Sequence, residues 1–394
     1  MRKLFQYIIY MIIFIAGGVT TYLIDRVSLQ KDSTALLHHD SSDTEPPVTA
    51  KPAILFKYNA SIQKDSKDIF NDDSALYSYV KKFGIKQSIT HLHELTAIYG
   101  DCHHPAHKAG RFAYDLLSNQ AFYEAGSECH SGGLHGVIEA YFHENGIKKM
   151  TEDLDKICSP NRNNFFSHQC IHGIGHGLMA WSNYALLDVL KYCDRLPKRS
   201  DSCWSGAFME NIVGGIAHHN DDGKKNGHVT QYISDDPHYP CTIVDEKYKA
   251  GCYFYQTSRM IQIFNGDFAK VAAACSEAKQ AYQVHCFESM GRDVGGRFRG
   301  DPTGAIKTCG SAPKGASRVH CISGAVQDTF WDYSGQDQAI TFCKGLTEDD
   351  EKNACYKTIF ARAIQILTIK SDLNIFCNKT PDPYRKHCFL SIGI

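Results

Sequence analysis

Sixteen cysteines recur along the chain in pairs, and their spacing constrains the fold more than any other feature. First members fall at 158, 193, 241, 275, 309, 343 and 377, and second members at 170, 203, 252, 286, 321, 355 and 388. Within each pair the two lie 10 to 12 residues apart, and from Cys241 onward the pair returns every 33 to 35 residues. Such a period marks stacked helical hairpins, none of which can bury its apolar face alone. The expectation is an all-α solenoid of about eight hairpin repeats with a period near ~34 residues, each repeat stapled by its own disulfide. An even cysteine count without CxxC spacing fits a disulfide framework better than zinc fingers, and disulfides persist in oxidising compartments. Cys102 and Cys129 stand outside the pattern, each just ahead of a helix, and pair with one another by exclusion.

One transmembrane helix is expected ahead of the repeats. Arg2 and Lys3 precede an uncharged stretch, Leu4 to Ile24, that Asp25 closes. That length spans a bilayer, and the basic residues keep the N-terminus cytoplasmic while the remainder is exported. A signal peptide cleaved near Ala16, Gly17 and Gly18 is the competing reading. The expected organisation is a cytoplasmic stub at 1–3, an anchor at 4–24 and a polar spacer at 25–72. Histidine-rich helical repeats follow at 73–215, then a histidine-containing insertion at 216–240 and stapled repeats at 241–394. A formal net charge of −1 supplies no polyanion-binding surface, so nucleic acid is not an expected partner.

The chemistry is concentrated in the early repeats. Nine of the 20 histidines lie between residues 103 and 176. His135 and His176 each stand six residues after a second-position cysteine, Cys129 and Cys170, and His107 takes a similar place after Cys102. Stacked repeats set equivalent positions side by side, so these side chains are expected to line one groove. His103 and His107, His135 and Glu139, and His172 and His176 are each four apart. Two side chains four apart on a helix share a face and can reach one ion. Imidazole and carboxylate ligands suit a divalent transition metal such as zinc, iron or copper. The expected site is one ion held chiefly by His107, His135 and His176, with His103, His172 and Glu139 completing its sphere. Glu210, from the next unit, is the candidate general acid–base on a metal-bound water. Structural histidines are the plainer alternative, because a single HxxxH on a helix is common. Gly132, Gly133, Gly136, Gly173, Gly175 and Gly177 are poor helix formers at helix starts, which implies close backbone approach to a helix or a ligand.

From residue 150 to 394 the 34-residue period with paired cysteines resembles the Sel1-like, tetratricopeptide-related repeat proteins. That resemblance is architectural, since the Sel1 consensus positions are absent, and it implies a right-handed helical-repeat fold. Deoxyhypusine hydroxylases offer a further analogy, as helical-repeat proteins that hold iron between repeats with His-Glu pairs. Their adjacent His-Glu dipeptide occurs here only at His93-Glu94 and His143-Glu144, so no residue is carried over. Two functional expectations follow. The first is a membrane-anchored extracytoplasmic metalloprotein, with metal-dependent hydrolysis or oxidoreduction open to it. The alternative is a disulfide-stapled scaffold that binds a peptide or protein in its groove without catalysis.

Overall fold

The computed structural model describes residues 69–394, apart from 100–101, 127, 159–163, 198, 215–229 and 394. The apolar stretch at 4–24, nearly all of the spacer, and His218, His219 and His228 of the insertion lie outside the described residues. Among the described residues no helix is long and apolar enough to cross a membrane. They belong to one compact unit, which is helical without a strand among them.

The helices are α1 (Asp73–Glu94), α2 (His103–Leu117), α3 (Gly132–Ile157), α4 (Asn164–Trp181), α5 (Leu186–Cys193), α6 (Ser200–Met209), α7 (Glu246–Ile263) and α8 (Phe268–Glu277). They continue as α9 (Gln280–Arg297), α10 (Pro302–Cys309), α11 (Ala316–Thr329), α12 (Gln336–Gly345), α13 (Asp349–Ile366), α14 (Lys370–Lys379) and α15 (Tyr384–Ser391). Helices α5, α8, α10, α12 and α14 carry the first cysteine of a pair near their C-termini, and the helix that follows each carries the second. All seven regular pairs are bridged within their own repeat, and Cys102 is bridged to Cys129. No cysteine is left free. The Cys102–Cys129 bridge differs in kind, because it ties the starts of two successive inner helices, α2 and α3, across 27 residues.

Local chemistry sets the helix ends. Asp72, Asp267 and Asp301 cap α1, α8 and α10 by accepting backbone N–H groups, and Pro302 occupies the first turn of α10. Gly84 and Gly146, both at positive φ, break α1 and α3 into two arms. The second arm of α1 is followed by a short turn, Thr96–Tyr99.

Inner helices α2, α3, α4, α6, α7, α9, α11 and α13 pack each against the next. Glycine lets them approach until backbones touch. A Cβ on Gly175 of α4 would lie 2.2 Å from the Cys203 carbonyl oxygen, and one on Gly291 of α9 would lie 2.0 Å from that of Cys321. The glycines therefore answer to helix packing. One continuous apolar core fills the space behind, from Leu76 and Ile85 to Phe376.

The stack also closes on itself. Helix α13 reaches α4, where the Arg362 guanidinium lies over the Phe165 ring, 4.5 Å from its centroid. The His130 ring sits 5.1 Å from that of Trp331, and Asp328 lies 3.6 Å from His130 and 3.1 Å from Arg299. His93 meets Asp332 at 3.7 Å. Early repeats thus lie against late ones, and a cavity of ≈ 770 Å³ open to solvent lies between them.

Candidate metal centre

Three consecutive inner helices supply the histidines. Helix α2 presents His103 and His107 from one face, α3 presents His135, and α4 presents His172 and His176. Because the helices pack backbone to backbone, the rings meet in one cluster. The His135 and His176 ring centroids are 4.7 Å apart, His103 and His107 4.6 Å, and His172 and His176 4.9 Å. The coordinating atoms of His103, His107 and His135 all lie within 4.8 Å of one another, and so do those of His135, His172 and His176. His135, 1% exposed, belongs to both groups.

Hydrogen bonds fix the tautomers. His103 Nδ1 donates to the Cys129 carbonyl at 2.9 Å, and His107 Nδ1 to Glu139 Oε1 at 2.7 Å. On the other side His176 Nδ1 donates to Glu210 Oε2 at 2.7 Å. His172 Nδ1 donates to Ser205 Oγ at 2.8 Å, since the Ser205 hydroxyl spends its own hydrogen on the Ser202 carbonyl. With the proton on Nδ1, a neutral imidazole carries its lone pair on Nε2. These lone pairs face one another, His103 to His107 and His172 to His176, each at 3.1 Å. Neither ring nitrogen of His135 has a partner among the described residues.

The carboxylates stand behind the rings. Glu139 gives its second oxygen to Arg111 at 2.7 Å, and Glu210 gives its second to the Tyr184 hydroxyl at 2.8 Å. Burial would raise the Glu139 carboxyl, but His107 and Arg111 outweigh it and hold the group well below the usual range. Glu210 is likewise lowered against its burial, by His176. Burial and the Glu210 charge push the Tyr184 phenol far up, so it stays a donor. Burial first, and then the neighbouring imidazoles, lower His103, His135 and His172 well below the ordinary histidine value, which keeps those rings neutral.

No family model, curated protein or solved structure matches the chain. The cluster borders two cavities. His103, His135 and His172 line the cavity between early and late repeats, while His103, His107, His176, Glu139 and Glu210 line a second of ≈ 860 Å³.

All seven residues singled out from sequence fall in this cluster or directly behind it. The five histidines converge, but Glu139 and Glu210 have both oxygens engaged by His107, Arg111, His176 and Tyr184. Several contributors escaped the sequence reading. His168 extends the α4 stripe to an HxxxHxxxH pattern, holds Ser202 at 2.6 Å, and was visible by spacing alone. Ser205 and Tyr184 carry no sequence signal of their own. Nor does the turn Cys129-His130-Ser131, where three successive residues stand at positive φ (52°, 53° and 61°). Non-glycine residues pay a conformational cost there, and this turn aims the Cys129 carbonyl at His103 while sending His130 to Asp328.

Proposed function

We propose that the chain is an exported metalloenzyme whose centre is built from His103, His107, His135, His172 and His176. The observation that carries this reading is the pair of 3.1 Å Nε2–Nε2 edges, each backed by proton-bearing Nδ1 atoms. Two lone pairs so placed repel unless a cation lies between them. Ligand nitrogens on one zinc-sized ion, each about 2.0–2.1 Å from it, stand about 3 Å apart. A shared proton would satisfy one edge, but it leaves both nitrogens of His135 without a partner. Two ions, one held at each edge, would use all five rings, with His135 giving up its N–H proton so that each of its nitrogens has a lone pair to offer. An all-nitrogen set suits zinc, copper or iron, and no thiolate competes because every cysteine is in a disulfide.

Glu139 and Glu210 act in this reading as the carboxylates that hold ligand rings in orientation and tautomer. The cavity between early and late repeats is the size of a small-molecule site. Metal identity decides the chemistry: zinc would serve hydrolysis, copper or iron oxidoreduction. Eight disulfides favour an oxidising compartment, and the apolar stretch at 4–24 is the natural export signal or anchor.

The test is elemental analysis of full-chain protein purified without chelator. Two transition-metal ions per chain are expected. His135→Ala combined with His176→Ala should empty the site while circular dichroism and disulfide mapping stay unchanged. Metal-free wild type, or a double variant with full metal content, overturns the reading in favour of a binding scaffold.

A further inference from the structure

The cavity between early and late repeats holds a second cluster that the histidines do not use. Arg362 projects from α13 and is 4% exposed. Its Nε donates to the Phe330 carbonyl at 2.9 Å and its Nη1 to Gln365 at 3.0 Å. The plane lies over Phe165 and over Trp331, 4.9 Å from the Trp331 centroid. Its Nη2 is buried with no partner among the described residues. Closing the ring requires the guanidinium plane but not a bare N–H, and a buried charged donor without an acceptor is costly.

Arg292 repeats the arrangement from α9. It stands six residues after Cys286, the place that His135 and His176 hold after Cys129 and Cys170. Its Nη2 is bound by Asp293 and Ser258, its plane lies 4.5 Å from the Tyr255 centroid, and its Nη1 is buried without a partner among the described residues. Tyr255 is in turn 5.9 Å from the His172 ring. Both arginines and His172 line the same cavity.

The charge in that cavity is not balanced. Four arginines and three aspartates line it, and two of the aspartates are already committed. Asp293 is held by Arg292, Thr257 and Ser258, and Asp328 by Arg299 and His130. Burial lowers the Arg362 guanidinium to about 10, so it remains a cation at neutral pH.

We propose that Arg362 and Arg292 bind the oxyanion of a small organic acid or phosphate ester whose apolar body lies against Tyr255, Phe165 and Trp331. As the substrate class of the metal centre, this rests on the function proposed above; the anion site itself does not. A guanidinium with its plane held by aromatic rings and one edge bare is suited to a carboxylate or phosphoryl group.

Calorimetric titration of full-chain protein with benzoate, phenyl phosphate and inorganic phosphate tests this, with metal content measured on the same samples. Benzoate or phenyl phosphate should bind more tightly than inorganic phosphate, and whichever is tighter identifies the oxyanion. Arg362→Met should weaken binding at least tenfold. Arg292→Met, which leaves the α4–α13 contact intact, should do so by a similar factor and guards against a merely unfolded first variant. Arg362→Lys should recover part of the loss. Absence of binding by every probe at about 10 mM, which corresponds to less than about 3 kcal/mol of affinity, overturns the proposal. So does unchanged affinity in both methionine variants. Metal without anion binding removes this proposal alone, and anion binding to metal-free protein supports it while removing the metal reading.

Discussion

Gly136 and His107 stand so close across the α2–α3 contact that a Cβ on Gly136 would lie 1.9 Å from the His107 carbonyl oxygen. Backbone cannot yield as a flexible side chain does, so Gly136→Ala must push the two helices apart. Overpacking of this kind costs about 1–3 kcal/mol. The expected result is a melting temperature lower by several degrees, with metal content reduced because His107 and His135 no longer converge. Unchanged values in both measurements would show that the contact does not set the site.

Glu139→Gln and Glu210→Gln should each weaken metal binding without abolishing it. An amide can still meet the imidazole, but it neither enforces the Nδ1–H tautomer nor supplies charge. Loss of such partners costs on the order of 10–100-fold in metal affinity. Competition with a chromophoric chelator measures this. A loss too large to titrate in Glu139→Gln would instead make that carboxylate a direct ligand.

Removing two disulfides should separate stability from site integrity. In the chain-entropy model the Cys102–Cys129 bridge contributes about 3.5 kcal/mol and the Cys377–Cys388 bridge about 3 kcal/mol. Replacing either pair by serine should lower the melting temperature. Only the first should lower metal content, because Cys129 carries the carbonyl that orients His103. Equal metal loss from both variants would contradict this division.

Acid should loosen the contact between early and late repeats. Burial raises the Asp328 carboxyl, but His130 and Arg299 together outweigh it, so its folded pKa lies below the usual value. Arg292 and Arg362 add positive charge nearby. A carboxyl lowered in the folded state contributes stability that is complete above its unfolded pKa, about 3.9, and is lost as pH falls through the folded value. The melting temperature of wild type should therefore fall more steeply below pH ~4 than that of Asp328→Asn. Parallel profiles would mean that Asp328 does not stabilise the closure.

The repeat was legible because its cysteines recur at fixed spacing, which made seven of the eight bridges a matter of counting; Cys102–Cys129 came by exclusion. The five histidines were legible because helix periodicity and stacking both place them on one face. Roles behind the rings were not. Glu139 sits four residues from His135 as a ligand partner would, yet its oxygens meet His107 and Arg111 on the neighbouring helix, a choice fixed by how far α2 slides along α3. Arg362 was hidden more deeply. Its meaning depends on α13 reaching α4, a contact between distant repeats that no local pattern encodes.

That contact changes how the array comes apart. Repeats in an open solenoid meet only their neighbours and can fray from either end. Here His93 reaches Ser334 across 241 residues and His130 reaches Arg299 across 169. Such long separations make for slow assembly, because loop closure precedes the contacts that reward it. During synthesis the early repeats emerge first, and His130 has no Arg299 to meet until 169 more residues have followed. Once the ring is shut, no repeat between α1 and α13 can peel away alone, and this part of the chain should unfold as one cooperative body.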